Sequence, residues 1–128
     1  MLKGKSMRIR YIIFIILLFL PLKLFALEPV PTMTSVDFYG EWQGLKVGDV
    51  VEAYDSDGVV CGKFTVIKDG WYGFLHVYGD DETTADVDEG AKPGDSISLY
   101  VNGNQVTPVN PEKLIWSKDG DRKKVDLQ

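Results

Sequence analysis

Four short segments set the rhythm of this chain: Ser56-Asp57-Gly58, Lys68-Asp69-Gly70, Asn102-Gly103-Asn104 and Lys118-Asp119-Gly120. Each puts glycine directly after Asp or Asn, the pairing that relieves the positive φ of a tight hairpin. Such turn signals recur about every eight to twelve residues, and no long 3.6-residue period appears between them. The runs in between are rich in β-branched and aromatic residues: 36–42, 49–55, 59–67, 71–78, 96–102 and 122–127, with a shorter one at 114–117. Short strands separated by regular turns predict an all-β domain, an antiparallel sandwich of about seven strands.

Alternation assigns faces to these strands. Ile97, Leu99 and Val101 point one way, and Ser98, Tyr100 and Asn102 the other. Val60, Gly62, Phe64 and Val66 read as a core face opposed by Lys63 and Thr65. The run 71–78 is apolar on both faces and so reads as a central strand, with Trp71, Tyr72, Phe74 and Tyr78 serving either packing or a binding platform. The chain also echoes itself. Lys46-Val-Gly-Asp-Val-Val-Glu-Ala-Tyr54 and Lys92-Pro-Gly-Asp-Ser-Ile-Ser-Leu-Tyr100 share Lys-x-Gly-Asp-x-(Val/Ile)-x-apolar-Tyr. The physical expectation is two equivalent hairpins, each started by a Gly-Asp turn whose Asp side chain bonds local backbone amides.

The domain is preceded by a different kind of segment. Lys3, Lys5, Arg8 and Arg10 lead into the apolar run 11–20, which Pro21 closes, and Leu24-Phe25-Ala26 offers a processing site. This is the layout of a secretory signal peptide, helical in its apolar part. The rival is an uncleaved anchor, but a spanning helix needs ~20 apolar residues, and Pro21 and Lys23 interrupt this one. The organisation is therefore a signal peptide at 1–26, a short linker at 27–35 and a β-sandwich domain at 36–128. The expected location is secreted, periplasmic or at the cell surface, with membrane contact only through an uncleaved leader. Five of the 14 basic residues and none of the 19 acids lie in the leader, leaving nine against 19, a net charge of −10. A surface so acidic lacks the basic footprint that nucleic acid requires.

Few residues invite chemistry. Cys61, the only cysteine, cannot form an internal disulfide and sits in an apolar strand-like stretch, where a thiol acts as a small hydrophobe. His76 is the only histidine, without Cys/His spacing for zinc, and no Gly-x-Ser-x-Gly elbow marks an activated serine. No catalytic residue is expected, and the chain reads as a non-enzyme. The densest chemistry is at 79–90, where Asp80, Asp81, Glu82, Asp86, Asp88 and Glu89 crowd six carboxylates into ten residues. Hard cations take such oxygen ligands, so Asp80, Asp81, Asp86, Asp88, Glu89 and Asp95 are the candidate Ca²⁺ ligands, with Asp49 a further one. The alternative is a solvated acidic loop; the spacing is not that of an EF-hand.

Taken in order, Gly48-Asp-Val-Val-Glu-Ala-Tyr-Asp-Ser-Asp-Gly58, Val60-Cys-Gly62, Asp69-Gly-Trp-Tyr-Gly73, Val77-Tyr-Gly-Asp-Asp81, Asp88-Glu-Gly-Ala91, Gly94-Asp-Ser-Ile97 and Val101-Asn-Gly103 resemble an immunoglobulin-like β-sandwich module. Modules of this kind occur in secreted and cell-surface proteins of bacteria and archaea. The resemblance implies a non-catalytic surface module, used for adhesion, spacing or ligand presentation. Together with the acidic loop, the expected function is binding of a protein or glycan partner with Ca²⁺ ordering that loop; the alternative is a structural subunit or spacer of a surface assembly. A glycan binder would present exposed aromatics, for which Trp42, Trp71 and Trp116 are the candidates.

Overall fold

The computed structural model describes residues 28–81 and 90–128. The described residues form seven strands and a single turn of 3₁₀-helix, Pro111–Lys113. In chain order the strands are β1 (Ser35–Glu41), β2 (Val50–Tyr54), β3 (Val60–Thr65), β4 (Trp71–Tyr78), β5 (Ser98–Val101), β6 (Asn104–Val106) and β7 (Arg122–Lys124). One sheet has the order β4-β1-β7 and the other β3-β2-β5-β6. Their inner faces share one core. Val36, Phe38, Tyr72, Leu75 and Val77 come from the first sheet, Val51, Ala53, Cys61, Leu99 and Val101 from the second. The all-β expectation and the two-sheet arrangement both hold.

The echoed turns are alike bond for bond. Lys46 N–H donates to Asp49 Oδ2 and Lys92 N–H to Asp95 Oδ2, both at 2.9 Å. Gly48 and Gly94 take φ of 94° and 91°, a conformation that side-chain-bearing residues resist. Beyond each turn the chain is received in the same way: Gly48 N–H donates to Val66 O and Val66 N–H to Asp49 O, while Gly94 N–H donates to Trp116 O and Trp116 N–H to Asp95 O. The two copies then pair with each other antiparallel, Ala53 opposite Leu99, Glu52 opposite Tyr100 and Tyr54 opposite Ser98. Ala53 and Leu99 occupy the same place in the repeat, so a local two-fold relation passes between them.

Four details differ from the sequence expectation. First, β4 is an edge strand: its outer face carries Trp71 and Phe74 exposed, and an exposed aromatic face reads like a buried one in sequence. Second, β1 and β7 run parallel, so the three-stranded sheet is mixed rather than antiparallel. The chain reaches β7 from the far sheet and arrives in β1's own direction. Third, β6 is a strand despite its polar Asn104-Gln105. Asn102 and Gly103, at φ 50° and 83°, fold the chain back on β5 with a two-residue hairpin of the Asn-Gly kind. Fourth, segment 114–117 contributes only an isolated bridge, Ser96 to Ile115.

Two bulges interrupt the ladders. Ala53 pairs with Gly62 and Tyr54 with Val60, leaving Cys61 as the extra residue. The bulge turns Val60, Cys61 and Gly62 all inward, and Cys61 Sγ, fully buried, lies 3.5 Å from Ala53 O. On the other sheet the β1–β4 register shifts where Tyr39 faces both Gly73 and Phe74. Gly73 sits at φ 113°, and a Cβ there would run into Tyr39.

The β2–β3 turn contains a charge out of place. Asp55 is buried; its Oδ1 accepts the amides of Asp57 and Val59 at 2.9 Å, while Oδ2 has no partner among the described residues. Burial pushes its pKa above the ordinary aspartate value, against the pull of those two amides, and Asp57 and Asp95 push it further up. The folded state therefore holds the proton more tightly than the unfolded one. The resulting stabilisation is full below the unfolded pKa and disappears as pH rises through the folded pKa, above which the carboxylate is ionised and half-satisfied. Asp55→Asn keeps the acceptor oxygen and removes the charge. Because the variant has no carboxyl to ionise, its stability relative to the parent protein is expected to rise from pH 4 to pH 7. Thermal melts of both proteins at the two pH values check this, and a Tm difference that does not change with pH would refute it.

Candidate functional site

At one end of the three-stranded sheet, β1 runs out into Trp42 and Gln43 just where β4 begins. Glu41 and Trp71 are ladder partners, and Trp42 N–H closes the next step by donating to Gly70 O at 3.0 Å. The Lys68-Asp69-Gly70 turn aims Trp71 outward: Gly70 takes φ 81°, Trp71 N–H donates to Lys68 O, and Asp69 Oδ1 accepts the amide of Val47. Trp42 folds inward over Gly44, where an added Cβ would lie 2.7 Å from the indole, and packs half-buried against the core.

The chain beyond β7 completes the wall. Leu127 N–H donates to Glu41 O at 3.0 Å, and Asp126 Oδ1 accepts the amide of Glu41 at 2.9 Å. Tyr72 fixes this segment from beneath: its hydroxyl, whose pKa burial pushes up, donates to Val125 O at 2.5 Å. The result is an open cleft of about 630 Å³ whose walls include Glu41, Trp42, Gln43, Trp71, Asp126 and Gln128. Two indoles thus meet two carboxylates and two amides. Trp71 is 40% exposed. Lys68 Nζ stands 5.5 Å from its ring centre, and Lys124 Nζ lies 3.8 Å from Glu41 and 4.0 Å from Asp126. Exposed pairs at such distances are loose, so both carboxylates keep acceptor capacity for a ligand.

Trp71 also belongs to the outer face of the sheet. Further along β4, Phe74 is 46% exposed. Tyr39 meets it edge-on at 5.1 Å, and the Arg122 guanidinium lies over its ring at 5.1 Å. His76 follows on the same face, its Nδ1 2.5 Å from Asp37 Oδ1, which makes it a partnered surface histidine. The opposite sheet offers a smaller hollow beside Glu52, Tyr54, Ser98 and Tyr100, where the two tyrosines meet edge-on at 5.1 Å.

Of the three tryptophans singled out from the sequence, Trp42 and Trp71 converge on one cleft. Trp116 does not join them: it is 4% exposed, and its indole N–H donates to Val77 O at 2.8 Å in the core. Of the candidate Ca²⁺ ligands, Asp86, Asp88 and Glu89 lie outside the described residues, as do Glu82 and the whole leader. Asp80 and Asp81 follow β4, where Asp80 N–H donates to Ala91 O. Asp95 and Asp49 are engaged in their turns, Asp49 also accepting from Asn102 Nδ2, which together with the Lys46 amide holds its pKa low. No group of three or more His, Cys, Asp or Glu is placed to hold a metal among the described residues. Glu41, Gln43, Asp126 and Gln128 were not visible as site residues; the one local signal was a tryptophan flanked by Glu41 and Gln43 at a strand end. No known protein family, curated protein or solved structure matches this chain.

Proposed function

We propose that this chain is an exported, non-catalytic β-sandwich module, of the immunoglobulin-like kind its sequence resembles, that binds a neutral glycan in the cleft between Trp42 and Trp71. The observation that carries the reading is the meeting of two indoles with carboxylates and amides in one open cleft. A sugar ring has an apolar C–H face and a rim of hydroxyls. Indoles cover the face, and planar carboxylates and amides take the rim hydroxyls as hydrogen-bond donors. Two acids on the wall favour an uncharged ligand over an anionic one. Export rests on the basic head, apolar run and processing site of residues 1–26.

A second reading has one observation in its favour: Glu41 and Asp126, both on the cleft wall, share the Lys124 ammonium, and glycosidases work with paired carboxylates. A general acid, however, works from a desolvated carboxyl, whereas these side chains are 52% and 40% exposed. Affinity electrophoresis tests both readings. The purified protein is run through gels containing xylan, mixed-linkage glucan, mannan or pullulan. Retardation by at least one gel, without new reducing ends in solution, is the expected result. Retardation by none removes the glycan reading, and release of reducing ends replaces binding with hydrolysis.

A further inference from the structure

Trp71 serves two surfaces at once, the cleft and the outer face of β4. We propose that the glycan site, taken as read above, continues along β4 as a track for an extended polysaccharide, with Phe74 as its second stacking ring. Trp71 is opposite Glu41, and Phe74 stands with Gly73 across from Tyr39. The bulge places the two residues two ladder positions apart, roughly 7 Å along the strand, with both side chains exposed. That separation suits adjoining stretches of one sugar chain.

Both rings are held before any ligand arrives. Tyr39 and Arg122 fix Phe74, and Lys68 stands over Trp71. A held ring loses little rotamer freedom on binding. Exposed aromatic surface on an edge strand is otherwise a liability, yet β4 carries two such rings in line, with the polar Asp37–His76 pair beyond them. The track is a strand surface open along its length, so it takes an internal stretch of polymer and requires no chain end.

The test measures binding of the disaccharide, tetrasaccharide and hexasaccharide prepared from whichever polysaccharide retards the protein. Affinity is expected to rise about tenfold from the shortest to the longest, the worth of one further aromatic contact. Phe74→Ala should abolish that rise, while Phe74→Trp should keep it. Affinity independent of length, or a rise that survives Phe74→Ala, overturns the track and leaves the cleft reading standing. Failure of every polysaccharide and oligosaccharide to bind overturns both together.

Discussion

Trp116→Ala is expected to cost about 3–5 kcal/mol, the usual cost of emptying a large aromatic site in a core. The indole is 4% exposed, and its N–H satisfies the carbonyl of Val77. Truncation therefore leaves a cavity and an unpaired acceptor together. It also strikes a junction. The backbone of Trp116 receives the Gly94 amide and donates to Asp95, so the ring anchors the segment that seats the second Gly-Asp turn. Gly79 is glycine where the ring passes, since a Cβ there would lie 2.7 Å from Trp116 Cζ2. A small domain is stable by about 5–15 kcal/mol in all, and the loss should lower Tm by at least about 12 °C. A fall of only a few degrees in thermal unfolding would show that the core closes around the gap and that Trp116 is not the anchor described.

Trp71→Ala should do the opposite. Its ring is 40% exposed on an edge strand, and its removal should move Tm by no more than about 4 °C, as surface substitutions do. In the polysaccharide gel the same substitution should weaken retention about thirtyfold or more, because an aromatic at the centre of a binding site is worth about 2 kcal/mol or more. The ring is the wall common to cleft and track, so no oligosaccharide length should escape the loss. Unchanged retention in a well-folded Trp71→Ala protein would take the site away from this end of the molecule. The hollow between Tyr54 and Tyr100 would then be the next surface to test.

These two tryptophans show where reading the sequence succeeds and where it stops. What local chemistry decides is legible: the Lys-x-Gly-Asp turns, the Asn102-Gly103 hairpin and the inward face of Ile97, Leu99 and Val101 are all fixed within a few residues of themselves. What distant pairing decides is not. Trp71 and Trp116 carry the same side chain, and only the sheet placed over one of them tells core from surface. The outward face of β4 is apolar whether or not something covers it. The direction of β7 relative to β1 leaves no trace in either segment. The cleft is the extreme case, since Glu41 and Asp126 are joined by a hydrogen bond across 85 residues of chain. β6 is silent in the sequence for a simpler reason: its three residues gain their conformation from the turn before them, not from their own preference.

The strand edges bear on how such a domain lives in a crowd. An open sheet invites a neighbouring chain to extend it, and proteins at high local concentration must refuse that invitation. Here β6 and β7 are three residues each, β7 reads Arg122-Lys123-Lys124, and β3 and β4 are both bulged. A second molecule sliding alongside finds too short a run, a row of like charge or a broken register. Copies packed side by side should therefore stay individually folded and unfused, each meeting its surroundings through the broad side of a sheet and the mouth at its end.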